Sequence, residues 1–557
     1  MKKVILAILL LSTAVVKAQN LDTWTQVGMV QFPQNPSVQT TGMGRVSELV
    51  YHPTDSNTLY AVSASGGVWQ TSNEGLSWKP LTDKLPRMQC ASLCINPLNP
   101  NVMYLGTGDA DYNSTGMGVW KSTDKGKTWA QSTTGMGNRL VSVLCINPAD
   151  TNMLLAAADD GIYKSTNAGA SWTKRTTVNG SYRDLVRKAS AGSRTFFAAT
   201  DGAIYRSVDM GDTWTAHTLA GTPAGIKLGV SPADSNVLYA VAWSNGANKF
   251  GGLFKSVNDA ASFTLQSDTP NVLGYSSTGS TQDGQGAYNL CIAVDPLNIN
   301  TIYVGAICVW KSTTGGTTWS LSSPWAFGVH ADKHHFVFSP FNPNKLYLTH
   351  DGGMDRTLNG GSTWTTMSDG LSASEFYKMG QSILRKEILI GGLQDNGLNI
   401  YRNGIFYTIK GGDWTGDFHF DYKDTNVLYF NGGNRRFVTG GEEGINGQGN
   451  YLLDPVDENI MYYGQSQLYR TMNLKAVPST AVSWTQLSSF TNMTITNLAV
   501  SKADPSSVYF IYGDNSLYKC DQCNTSTPTI TQIASTSGFG NNARIILHKK
   551  DRWCIFI

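Results

Sequence analysis

An eleven-residue phrase recurs seven times along the chain, and its spacing restricts the fold more than any other feature. The phrase reads aliphatic or aromatic, aromatic, Lys/Arg, Ser/Thr, x, Asp/Asn, x, Gly, x, Ser/Thr, Trp. Its clearest copy is V-W-K-S-T-D-K-G-K-T-W, from Val119 to Trp129. Other copies end at Trp78, Trp172, Trp214, Trp319 and Trp364, with a weaker one at Phe263. Successive endpoints therefore lie 51, 43, 42, 49, 56 and 45 residues apart.

A period of this size belongs to propeller blades or solenoid units. A second phrase completes each unit: an apolar run, a Pro/Asn turn and another apolar run, as in L-C-I-N-P-L-N-P-N-V-M-Y-L-G-T from Leu93 to Thr107. Short β-rich runs separated by Pro, Asn, Asp and Gly read as strands joined by tight turns. The first unit predicts strand A over Val46–Tyr51, B over Thr58–Ser63, C over Val68–Thr71 and D over Ser77–Leu81. That is a four-stranded antiparallel blade.

Strand A recurs near Val46, Ser92, Val141, Asp184, Ile226, Leu290, His335, Phe376, Phe418, Tyr451 and Thr496, and a twelfth unit starts near Ala543 and stops at Ile557 after two strands. So many blades exceed a usual ring of about four to eight. The expected fold is all-β: tandem propellers, the first over residues 19–370 with about seven blades, the second over 371–557 and incomplete, with one large ring as the alternative. The halt in mid-blade predicts a natural chain that runs past Ile557. Leu21–Gly28 resembles a lone D strand, of the kind that closes a propeller ring.

With 57 glycines and only 15% charged residues, the composition suits short strands and tight turns. A net charge of +2 without a basic stripe argues against nucleic-acid binding. Lys2–Lys3, the apolar run Val4–Val16 and the small residues Val16 and Ala18 read as a signal peptide over residues 1–18, which predicts a secreted, extracellular or cell-surface protein. That apolar run is too short to span a membrane, and a monomer is expected. Cys94, Cys145, Cys291 and Cys308 lie in strand-like runs and read as buried thiols, whereas Cys520-Asp-Gln-Cys523 reads as a local surface disulfide.

Ser/Thr-x-Asp-x-Gly-x-Thr-Trp is the Asp-box, and through it the chain resembles secreted Asp-box (BNR) β-propeller proteins. With its N-P-x-N-P-N turns it looks most like the two-propeller xyloglucanase-type glycoside hydrolases and the sortilin propeller. The resemblance implies a structural role for Asn73, Asp124, Asn167, Asp209, Asn258 and Asn359. Acid and amide alternate there, so the position needs an acceptor for backbone N–H groups rather than a charge. Two implications meet a departure. No Arg-Ile-Pro element of the sialidase kind occurs, and Ala64 stands in Ser63–Gly67 where the xyloglucanases carry an acid.

In a blade of this order, A–B and C–D turns emerge on one side and B–C turns and D–A connections on the other. The functional candidates fall on the second side: G-V-H-A-D-K-H-H-F (Gly328–Phe336), His350-Asp351-Gly352-Gly353, Gly391–Gly397 and Gly411–Asp417, with the long B–C insertion Gly108–Gly118 beside them. Half of the eight histidines lie between Gly328 and Asp351. Candidate catalytic carboxyls are Asp413 or Asp395 as one member of a pair and Asp351 or Asp109 as the other. Candidate binding residues are His330, Asp332, His335, His350, Trp414 and Tyr112. The rival reading of these loops is turn architecture, since Asp-Gly and Asn-Gly are hairpin formers. No zinc spacing occurs and no cofactor is expected, although the oxygen-rich turns would suit Ca²⁺. The resemblance implies a secreted carbohydrate-active propeller with a polysaccharide or glycan as partner. The alternative is an extracellular protein-binding or adhesion module of sortilin type.

Overall fold

The structure, a computed structural model, describes residues 28–34, 41–176, 179–430, 434–437, 441–447, 449–490, 494–513, 515–535, 545–547 and 555–556. The signal-peptide reading, and the Leu21–Gly28 strand apart from Gly28, lie outside them. The first blade is a four-stranded antiparallel sheet of Glu48–Tyr51, Leu59–Ser63, Gly67–Thr71 and Lys79–Pro80. Among the described residues, ten further four-stranded sheets repeat that order. Their A strands are Cys90–Ile95, Val141–Ile146, Asp184–Arg187, Pro223–Val230, Cys291–Val294, Lys333–Phe338, Phe376–Gln381, Phe418–Phe420, Asn450–Leu453 and Ile495–Ser501. Ile546–Leu547 and Ile555–Phe556 pair as a two-stranded sheet. Among the described residues the only helical element is a single 3₁₀ turn at Ser479–Ala481. The protein is an all-β chain of propeller blades.

Blades 1 to 7 close on one another. Val46, Leu49 and Trp69 of blade 1 share a core with Tyr347, Met354 and Met367 of blade 7. The Val46 amide donates to the His350 carbonyl at 3.1 Å. A closed ring of seven excludes one ring through all the blades. Blades 8 to 11 follow in sequence, each packed on the next through its own apolar seam.

Inside the ring, polar side chains on strand A tie each blade to a neighbour by capping its backbone. Glu48 accepts from Leu93 N at 2.7 Å, Ser92 Oγ from Leu144 N at 3.1 Å and Asp184 from Leu228 N at 2.8 Å. On the outer side, the repeated phrase forms one turn over and over. In blade 2, Asp124 accepts from Thr128 N at 2.9 Å and from the Ser122 hydroxyl at 2.8 Å, while Gly126, at φ +79°, donates to Ser122 Oγ at 2.9 Å. Asn73, Asn167, Asp209, Asn258 and Asn359 accept the matching backbone N–H groups in their own turns. An amide oxygen and a carboxylate oxygen accept equally well there, which explains their exchange.

The terminal Trp does more than fill its own blade. Trp129 Nε1 donates to Leu81 O of blade 1, Trp172 Nε1 to Ser132 O of blade 2, and Trp319 Nε1 to Ser267 Oγ of blade 5. Trp78 Nε1 reaches Met367 O of blade 7 at 3.2 Å and so closes the ring. Trp214 bonds instead to Gly211 O in its own turn.

Cys520 and Cys523 are joined by a disulfide, as expected, but both are fully buried in the seam of blades 10 and 11 rather than on the surface. Cys94, Cys145 and Cys291 are free, and burial pushes all three thiols up, to about 11 for Cys145.

Candidate functional site

B–C turns and D–A connections from blades 1, 2, 6, 7 and 8 converge on one face. The entry to blade 1, Thr41–Arg45, threads between blade 7 and the connection to blade 8. Positions 42 and 44 admit no side chain there: a Cβ on Gly42 would lie 2.1 Å from Gly352 Cα, and one on Gly44 2.1 Å from Ala373 O. This placement delivers Arg45, 5% exposed, under the blade 2 insertion. Arg45 pairs with Asp109 at 2.6 Å and with Asp111 at 3.2 Å, and its guanidinium lies 5.2 Å from the Tyr112 ring. Asp109 also accepts from Asp111 N and Tyr112 N, so it shapes the insertion from within.

His334 stands at the centre. Its Nε2 lies 2.7 Å from Asp351 Oδ1 and its Nδ1 3.3 Å from Asp111 Oδ2. Burial alone would lower its pKa, but Asp111 and Asp351 outweigh it and raise the imidazole to about 10. Burial is likewise overcome at Asp111, which His334 and Arg45 hold at about 2. Asp351, 2% exposed, is lowered against its burial by His334 and receives the Tyr288 hydroxyl at 2.8 Å. The core of the site is thus a buried ion network.

Two further carboxyls, Asp332 and Asp395, adjoin it. One oxygen from each of Asp332, Asp351 and Asp395 lies within 4.8 Å of the others. Burial first, and then the Asp351 charge, raise Asp332 to about 7 and Asp395 to about 8. Asp332 meets the Asn289 amide, and Asp395 is half-buried, with its backbone N–H 3.3 Å from Asp413 Oδ1. Both adopt positive φ, +63° and +53°, which turns their side chains out of the regular hairpin path. The donor set is all oxygen, as Ca²⁺ prefers.

Of the sequence candidates, the structure brings Asp332, Asp351, Asp395, Asp413, Asp109 and Tyr112 to this face. His330 stacks on His350 at 5.7 Å, bonds to the Asp395 carbonyl at 3.1 Å, and is lowered to about 4 by burial and then by His350. His350 itself faces Asp355 at 3.1 Å and supports the turn. His335 is not part of the group: its Nδ1 accepts from Leu49 N. Trp414 donates to Gly411 O and packs edge-on against Phe430, so its indole serves the blade 8–9 seam. Sequence reasoning missed Arg45, Tyr288 and His334. His334 could have been found in the H-H pair at 334–335, where a register shift between Lys333 and His335 decides which imidazole turns to the cleft.

No family model matches the chain. Among curated proteins, an alignment of 130 residues, 21% of the chain, is 30% identical to the probable oligoxyloglucan-reducing end-specific xyloglucanase of Neosartorya fischeri, covering 16% of that protein. Another of 144 residues, 22% of the chain, is 29% identical to a xyloglucanase of Paenibacillus sp. and covers 13% of it. The matched stretches thus span less than a fifth of these relatives. Among solved structures, an ancestral GH74 enzyme superposes with a TM-score of 0.67 at 16% identity, over 91% of this chain and 78% of that one. A GH74 enzyme of Niastella koreensis gives 0.52 at 18% identity, over 89% and 86%. At such identities the likeness is one of fold.

Proposed function

We propose that the protein is a secreted carbohydrate-active propeller of glycoside-hydrolase type, which takes a β-glucan chain such as xyloglucan into the cleft above Asp351. The observation that carries this reading is Asp395. It is a half-buried carboxyl at the cleft mouth, pushed up to about 8 by burial and by Asp351, Asp332 and Asp413, so it holds a proton to donate at neutral pH. The relatives named as xyloglucanases and the GH74 fold neighbours support the substrate class.

In this reading Asp395 protonates the leaving glycosidic oxygen. Asp351, His334 and Arg45 stay beneath the sugar as a fixed charge framework, and Tyr112, 56% exposed, offers a ring face to it. No resident metal takes part. Residues 1–18 are the signal peptide, 19–370 the first propeller and 371–557 the second, the repeated turns are Asp-boxes, and the protein works as a monomer. The test is reducing-end release from xyloglucan and β-glucans by purified protein and by Asp395→Asn. Release that survives the substitution removes Asp395 from the chemistry.

A second reading has one observation in its favour. Ala64, buried in the blade 1 B–C turn, offers no carboxyl to a substrate. Glycan binding without any release would make the same face that of an adhesion module.

A further inference from the structure

A glycosidase requires a second carboxylate besides its proton donor, and most carboxylates around this cleft are already committed. Asp109 and Asp111 are held by Arg45, and Asp111 also by His334. Asp351, 2% exposed, accepts from His334 with one oxygen and from Tyr288 with the other. Asp332 is 9% exposed and meets the Asn289 amide. Asp413 accepts the backbone N–H of Asp395 itself.

Glu375 is different. It lies on the connection from blade 7 to blade 8, its side chain 29% exposed. Its carbonyl accepts from Gln394 N at 3.0 Å, which makes it the cross-strand neighbour of the residue next to Asp395. Its carboxylate receives the Ser65 hydroxyl from the blade 1 turn, one residue from Ala64. Arg45 Nε lies 3.8 Å from the same oxygen and, although buried, has no hydrogen-bond partner, so the guanidinium keeps a donor for this carboxylate. With Ser65, Gly66, Trp69 and Ser374, Glu375 lines a cavity of about 390 Å³.

We propose that Glu375 is the second carboxylate of the cleft and acts as base toward the attacking water. The inference rests on the glycosidase reading above. In the step, Glu375 takes a proton from water, the water oxygen bonds to the anomeric carbon, the bond to the leaving oxygen breaks, and Asp395 protonates that oxygen. The two carboxyls exchange protonation states, and solvent restores them. A carboxylate from the inter-ring connection thereby serves the blade 1 turn whose own position 64 is alanine.

The test is Glu375→Gln in the full chain, assayed for reducing-end release and, separately, for binding of xyloglucan oligosaccharides. The expected result is a fall in kcat of about 100- to 10,000-fold with binding kept. Azide, a nucleophile that needs no base, should restore part of the cleavage rate, read as glycosyl azide formed rather than as new reducing ends. Wild-type protein that releases sugar while Glu375→Gln stays within tenfold of it overturns this inference and leaves the glycosidase reading standing. Wild-type protein that binds but never releases sugar overturns both. Should Glu375→Gln fail to fold, Glu375→Asp takes its place, and cleavage within tenfold of wild type with no response to azide overturns the assignment.

Discussion

His335 Nδ1 accepts the backbone N–H of Leu49 at 3.3 Å, which joins the last inner strand of the ring to the first across 286 residues. The imidazole can accept only while that nitrogen is unprotonated, and burial, followed by Lys227, lowers it to about 4. A depressed histidine stabilises the fold fully above its unfolded pKa of about 6.5, and that contribution is lost as pH falls toward 4. His335→Ala should cost about 1–3 kcal/mol at pH 7.5, because Leu49 N–H loses its acceptor. The gap between wild type and variant should narrow between pH 6.5 and 4 in denaturant titrations. A gap that stays constant across this range counts against the assignment.

Asp332 runs in the opposite direction. Its folded pKa of about 7 lies above the ordinary carboxyl value, so its contribution is present below about pH 4 and lost as pH rises through 7. Asp332→Asn cannot ionise. It should therefore gain stability relative to wild type as pH is raised from 4.5 to 8, as read by thermal unfolding at each pH. No relative gain means that Asp332 is ionised throughout.

If Asp395 is the proton donor, glycan release should decline above pH 8 as that carboxyl ionises. Asp413 is one of the charges that raise it, after burial, Asp351 and Asp332. Asp413→Asn should move the alkaline limb to lower pH without abolishing release, and an unmoved limb would separate Asp413 from the donor.

The repeated turn can be tested by two substitutions at one position. Asn167 accepts from Ser171 N and Ser165 Oγ and donates to Ser171 Oγ, all at 2.9 Å. Asn167→Asp keeps every acceptor, as Asp124 does in blade 2, and should be near neutral. Asn167→Ala strands the turn amide and should cost about 1 kcal/mol. Equal losses for the two variants would mean that the position serves something other than these bonds.

The proposed chemistry uses no metal, so saturating EDTA should leave melting temperature and any glycan release unchanged. A fall in either, restored by Ca²⁺, would assign the Asp332–Asp351–Asp395 oxygens to a cation.

The blades were legible because each carries its own local signal, a Pro/Asn turn and an Asx-type turn at fixed offsets. Predicted A strands near Val46, Ser92 and Ile226 compare with Glu48, Cys90 and Pro223 in the structure. The face of the site was legible for a related reason, since strand order alone decides where B–C turns emerge. Its membership was only partly so. Arg45, Tyr288 and Glu375 lie singly in connections without a local motif, and their partners are supplied by other blades, far along the chain. At His334 and His335, a register shift reversed the alternation that would have told the two rings apart.

The indole bonds of the repeated phrase point backward around the ring, so their order of formation can follow the order of synthesis. Trp129, Trp172, Trp319 and Trp364 each find an acceptor on a blade already made by the time they emerge. Trp214 keeps its bond within its own turn, and Trp78 is reversed, because its acceptor, Met367 O, is added 289 residues later. During translation the first blade must keep an unmatched indole edge until the seventh arrives. A nascent chain halted before residue 367 would hold an open arc whose first blade still lacks the acceptor for its indole.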